Sequence, residues 1–147
     1  MEIQQPQAGD RVVLDTNIVL DLFVFNDVAT APLQQALQDG TLDWISTQSM
    51  RAELERVLAY PQIVPRLAFY QLTAGDVLTA FDQHARMVEA AVRAPVSCSD
   101  ADDQIFIDLA VAHQAWLLSK DLAVLSMQKR LLALGTRAQT AIKSVAI

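Results

Sequence analysis

The sequence predicts an α/β fold with a parallel sheet covered by helices on both faces. Short apolar runs rich in β-branched and aromatic residues recur at Arg11-Val12-Val13-Leu14, Leu42-Asp43-Trp44-Ile45-Ser46 and Ala115-Trp116-Leu117-Leu118-Ser119. Segments with helical apolar spacing lie between them, and strands that alternate with helices are joined in parallel by crossovers. The runs read as buried strands, so helices are expected on both sides of the sheet.

The elements follow in chain order. Residues 1–10, rich in Gln with Pro6 and Gly9, are expected to be a flexible leader ahead of a single domain over 11–147. A strand over 11–14 delivers Asp15 at its carboxyl end, and Thr16 or Asn17 can cap a helix starting near Ile18. Thr30 and Pro32 open a second helix over 31–39, which Gly40 closes. A strand over 42–46 leads into a third helix from Thr47 to Ala59, stopped by Pro61, with Leu54, Val57 and Leu58 on its buried face. Helices are expected over 66–72 and over 74–92, the latter capped by Thr73, and Ala94-Pro95-Val96 breaks the pattern. Ser99 or Asp100 caps a helix over 102–114. The strand over 115–119 and a helix from Leu122 to Leu134, ended by Gly135, come next, and residues 139–147 alternate weakly enough for an edge strand.

A chain of 147 residues suits one compact domain and can bury a sizeable core, and at 52% hydrophobic residues it is not expected to be disordered. Cys98 is the lone cysteine, so no internal disulfide can form; a reducing cytoplasm is the expected setting. Met1 to Gln7 lacks a basic start followed by an apolar run, so no targeting segment is expected, and charges interrupt every apolar stretch well short of a membrane span. The net charge of −6 counts against a dedicated nucleic-acid-binding module with a broad basic face. It is compatible with a nuclease whose carboxylates are partly neutralised by metal ions.

In open α/β sheets ligands bind beyond the carboxyl ends of the strands. Asp15 and Asp121 each follow a predicted strand, and Asp103 lies in the opening turn of the helix before the second of them, beside Asp100 and Asp102. Glu53 lies about two turns into the third helix, one step from its apolar stripe. Taken alone, each acid has an ordinary role as a cap, a turn residue or a solvated helix position. Clustered, they repel one another unless a divalent cation sits among them. Oxygen ligands without Cys or His partners select Mg²⁺ or Mn²⁺. His84 and His113 sit on helices without a matching second ligand, so zinc is not expected. Such a site suits phosphodiester hydrolysis, because the metal activates a water and neutralises the leaving oxygen.

The ordered set of acids resembles the PIN domain family, in particular its bacterial toxin components of toxin–antitoxin systems (VapC-like). Arg11-Val12-Val13-Leu14-Asp15-Thr16-Asn17 is similar to the family's opening strand with its Asp-Thr-Asn signature. Ser46 followed by Glu53-Leu54 and Val57-Leu58 is similar to its Ser-to-Glu helix. Cys98-Ser99-Asp100-Ala101-Asp102-Asp103, then Phe106 and Leu109-Ala110, resembles its Asp-rich helix start, and Leu117-Leu118-Ser119-Lys120-Asp121 its last acidic strand end. The resemblance covers roughly residues 11–135. It implies a three-layer α/β/α fold with a central parallel sheet. It also implies a Mg²⁺- or Mn²⁺-dependent endoribonuclease in which Asp15, Glu53, Asp103 and Asp121 are catalytic and hold metal for a two-metal-type hydrolysis of single-stranded RNA. Thr16 or Asn17 and Ser119 add polar support. The ligand in the Asp-rich turn is Asp102 or Asp103, and the spacing to Phe106 and Ala110 favours Asp103. Three features depart from the family pattern: Lys120 stands where a small residue, Gly or Asn is usual, the Asp-rich turn lacks a common Pro, and the segment after Gly135 matches less well.

The resemblance further implies a cognate antitoxin protein as partner and a homodimer built on the apolar helices at 47–72. Arg51, Arg56 and Lys120 are the expected contacts to an RNA backbone. The alternatives are a non-catalytic PIN-like RNA-binding or scaffold module, a flap-type DNA nuclease and a haloacid-dehalogenase-type phosphohydrolase. The last requires a second Asp where this chain has Asn17.

Overall fold

The computed structural model describes residues 4–146. Met1–Ile3 of the expected leader and Ile147 of the expected last strand lie outside the described residues. Five strands, β1 (Arg11–Leu14), β2 (Asp43–Ser46), β3 (Arg86–Met87), β4 (Trp116–Leu118) and β5 (Arg137–Gln139), form one sheet in the order β3-β2-β1-β4-β5. Every pairing is parallel. The register sets Val12 against Trp44 on one side and against Trp116 on the other, with Leu14 opposite Leu118.

Side chains alternate across a strand, so each strand feeds two cores. Val12, Leu14, Trp44, Trp116 and Leu118 enter one core with Ile18, Leu54 and Phe81. Helices α1 (Thr16–Phe23), α2 (Ala31–Asp39), α3 (Gln48–Leu58), α4 (Val64–Phe69) and α5 (Ala74–His84) supply that side. Val13, Ile45 and Leu117 enter the other core with Phe106, Ile107, Leu109 and Leu131. Helices α6 (Gln104–His113), α7 (Leu122–Leu125) and α8 (Gln128–Ala133) cover it. The result is the three-layer α/β/α arrangement the sequence predicts.

Local signals place most helix ends. Thr47 Oγ1 accepts from Met50 N at the start of α3, and Thr73 and Asp76 form a reciprocal capping box on α5. Gly40, at φ 71°, takes the left-handed turn that closes α2.

Several segments differ from expectation. Helix α1 starts at Thr16, and the cap is Asp15 itself. The helix expected over 66–72 occupies Val64–Phe69, because Pro65 fits a first helical turn. The helix expected over 74–92 ends at His84. Ala85 turns extended, and Arg86–Met87 pair with Ile45–Ser46 as an edge strand. Arg86 fixes that strand by gripping Asp43 with two guanidinium nitrogens, at 3.0 and 2.6 Å. Sheet pairing overrides helical periodicity there. The helix expected over 122–134 is split into α7 and α8 around the fully buried Met127. The final strand lies at 137–139 rather than over 139–147, with Ala138 as its buried residue.

The segment ahead of β1 touches the end of the chain: Ala8 N donates to Ala146 O at 2.7 Å and Lys143 N to Gln5 Oε1 at 2.7 Å. Among the described residues, no helix is long and apolar enough to cross a membrane.

Candidate metal centre

β1 and β4 are neighbours, yet the chain leaves β1 toward β2 and β3 and returns to place β4 on the opposite side. The crevice at the carboxyl ends of β1 and β4 is therefore the switch point of the sheet, where ligands bind in open α/β folds. Asp15 leaves β1 there with its backbone N donating to Leu118 O of β4 at 3.0 Å. Its Oδ1 accepts from Thr16 N at 2.7 Å, and its Oδ2 accepts from Ser119 Oγ at 2.6 Å. Ser119 is fully buried, and its Oγ also accepts from Asp121 N at 3.0 Å. One hydroxyl thus holds the two strand-end acids in register. Asp121 in turn caps α7 by accepting from Ala123 N at 2.9 Å.

Asp103 arrives from the other side. Asp100 caps a single 3-10 turn, Ala101–Asp103, by accepting from Asp102 N at 3.0 Å, and that turn swings Asp103 inward. Asp102 is exposed, whereas Asp103 is 7% exposed. Asp15, Asp103 and Asp121 each offer a carboxylate oxygen within 4.8 Å of the other two. Between Asp102 and Asp103, then, it is Asp103 that the fold brings to the cluster. Glu53 stands just outside that trio. Its Oε2 accepts from Thr16 Oγ1 at 2.5 Å, so Thr16 bridges Glu53 to Asp15.

The electrostatics follow from this crowding. Burial pushes Asp15 up from the ordinary Asp range; hydrogen bonds from Ser119 and Thr16 oppose it, and the charges of Glu53 and Asp121 add to it. Asp103 is pushed up to about 8, first by burial, then by its contact with the Asp121 carboxyl and by the charges of Asp15, Asp121 and Asp100. Asp103 Oδ2 is buried with no hydrogen-bond donor. The charged groups that act on it are carboxylates, so a cation among them would satisfy it. A buried acceptor in that state is costly. Three converging carboxylates, one of which carries an unpartnered oxygen, are compatible with a bound divalent cation.

A profile of the PIN domain matches residues 11–123. The chain belongs to the PIN domain family. No curated protein matches it. PIN domains are generally metal-dependent nucleases, and the acidic cluster of this one is compatible with metal binding.

The surroundings of the cluster contain groups the sequence did not single out. Gln104 is buried and ties down the loop before the Asp-rich turn: its Oε1 accepts from Cys98 N at 2.7 Å and its Nε2 donates to Val96 O at 3.0 Å. Asp108 holds the same loop by accepting from Ala94 N at 2.8 Å. A polar pair in the first turns of an otherwise apolar helix was the available signal. Of the three cations expected to touch RNA, Arg51 is gripped by Asp82 at 2.8 and 2.9 Å. Lys120 Nζ lies 2.5 Å from Oδ2 of the buried Asp21. Arg56 is exposed and makes no ion pair among the described residues.

Proposed function

We propose that this PIN domain is a Mg²⁺- or Mn²⁺-dependent endoribonuclease that cleaves single-stranded RNA, and that it is the toxin of a toxin–antitoxin pair. The observation that carries the nuclease reading is the orphaned Asp103 oxygen inside a trio of converging carboxylates. Asp15, Asp103 and Asp121 hold the metal, and Glu53 holds a second ion or positions the attacking water. When bound, the metal supplies water activation and neutralises charge at the phosphodiester.

The remaining work falls to the chain. Ser119 keeps Asp15 and Asp121 aligned, because its hydroxyl donates to one and accepts from the backbone of the other. Thr16 aims Glu53 at the cluster through its hydroxyl. Products carry 5′-phosphate and 3′-hydroxyl ends. The excess of acids over bases makes sequence-independent affinity weak, so the substrate is an unpaired loop or strand rather than a long duplex.

The toxin reading rests on the family resemblance, and its partner is a cognate antitoxin that covers the acidic crevice. A homodimer is supported by the exposed Val64, Phe69 and Tyr70 on and after α4. The deciding experiment is cleavage of labelled single-stranded RNA in Mn²⁺, with end-group analysis, by the wild type and Asp15→Asn. Cleavage that survives the substitution removes this site from the chemistry. Induced expression with and without the same substitution tests toxicity, and growth arrest by both forms rejects the toxin reading.

A further inference from the structure

Beside the acidic cluster lies a cavity of about 220 Å³. Ile18, Leu33, Leu118 and Ile142 give it aliphatic walls, and Asp21 and Lys120 stand among its polar groups. Its walls adjoin the acids through the backbone: Leu118 O accepts from Asp15 N at 3.0 Å, Ile18 lies on the first turn of α1 after Asp15, and Lys120 directly precedes Asp121. Asp21 is 7% exposed, an unusual burial for a carboxylate, and Lys120 is the cation that accompanies it. This pair is the feature that the residue departure at Lys120 creates.

We propose that this cavity is a base-recognition pocket that receives one unstacked guanine of the RNA, next to the phosphate cut at the acids. The proposal rests on the ribonuclease reading of the neighbouring centre. Size favours a single base. Pockets for drug-sized ligands run to about 300–1,000 Å³. A smaller space suits a single ring system with its sugar and phosphate left outside. Charge points the same way, since Asp21 and Asp27 both line the cavity and disfavour a phosphate inside it. Shape agrees, because aliphatic walls can pack on the two faces of a flat base, and single-stranded RNA is read through such splayed bases.

Edge chemistry selects the base. Lys120 is a donor beside the two acceptor oxygens of Asp21. The pairing edge of guanine offers the complement: O6 accepts, and N1–H and N2–H donate. Uracil sets a carbonyl against a carboxylate oxygen. Adenine and cytosine each carry a single donor on that edge, so they pair with the lysine and with only one oxygen of Asp21. Only guanine uses every group of the pair without a like-with-like contact.

The test begins with methyl-labelled, metal-free full-length protein titrated with guanosine monophosphate and with uridine monophosphate. Saturable shifts at Ile18, Leu33 and Ile142 are expected with the guanine nucleotide, and binding at least about tenfold weaker with the uracil one. Asp21→Ala abolishes those shifts; if that variant fails to fold, Thr140→Trp at the exposed rim closes the mouth and abolishes them instead. Equal binding of both nucleotides, or shifts that survive these substitutions, overturns the pocket. A second arm maps the cuts made in a random single-stranded RNA pool in Mn²⁺. Enrichment of guanine at one fixed offset from the cut, collapsing to within about twofold of uracil in the pocket variant, supports the proposal. Cuts without such enrichment overturn it. Guanine-selective shifts in a protein that cuts nothing keep the pocket and reject the ribonuclease.

Discussion

In the metal-free protein at neutral pH, Asp103 should destabilise the fold, and Asp103→Asn should relieve the crowding while keeping its shape. Asp103 sits at about 8 in the folded protein against an ordinary 3.8, so between those values the native state holds a proton that the unfolded chain has lost. Stability therefore falls as pH rises through that window, the reverse of the usual ion-paired Asp. One proton is worth about 1.4 kcal/mol per pH unit, which sets a ceiling of about 3 kcal/mol between pH 5 and pH 7. Solvent screening from the open side of the crevice reduces this to about 1–2 kcal/mol. The assay is urea unfolding in EDTA at pH 5, 6 and 7 for both proteins. His113, whose pKa is lowered chiefly by burial and then by Arg11 and Arg86, loses stability as pH falls through the ordinary His range. It does so in both proteins and cancels in the difference. The wild type should lose stability relative to the variant as pH rises. Parallel pH profiles would refute the idea that these acids crowd one another. At pH 7, Mn²⁺ should then raise the stability of the wild type and leave the variant nearly unmoved.

Ser119→Ala removes the hydroxyl that joins Asp15 to Asp121 and should weaken Mn²⁺ binding about 10–100-fold by calorimetry; unchanged affinity would show that the serine only fills space. Thr16→Val unlinks Glu53 from Asp15, and the expected result is slower RNA cleavage with Mn²⁺ still held by the trio, read by parallel kinetics and calorimetry. Leu54→Ala empties a site that is 1% exposed in the core beside β1 and should cost about 2–5 kcal/mol in urea unfolding, with metal affinity per folded molecule preserved.

The fold was legible because its decisive signals are local. Val12-Val13-Leu14 and Trp116-Leu117-Leu118 read as buried strands, and the sheet needs both faces covered to hold them. The acids were legible because most of them sit just past an element end, where the topology must deliver them. What was hidden is set by partners distant in sequence. Arg86 reads as helical until Asp43 claims it for a strand. Arg51 reads as a free cation until Asp82 is placed beside it. The pairing of Asp21 with Lys120 is hidden for the same reason, since nothing in the neighbourhood of Asp21 announces the lysine that reaches it from just past β4. Asp15 reads as a residue before the helix, but not as the cap itself, since Thr16 and Asn17 are equally good capping types.

The strand order has a temporal consequence. Asp15 and Asp121 become neighbours only after β4 has inserted beside β1, and β4 reaches the sheet after every strand on the other side has been made. During synthesis the amino-terminal acids therefore wait, harmlessly apart from their later companions, while most of the polypeptide is still emerging. A polypeptide truncated before β4 has no assembled crevice.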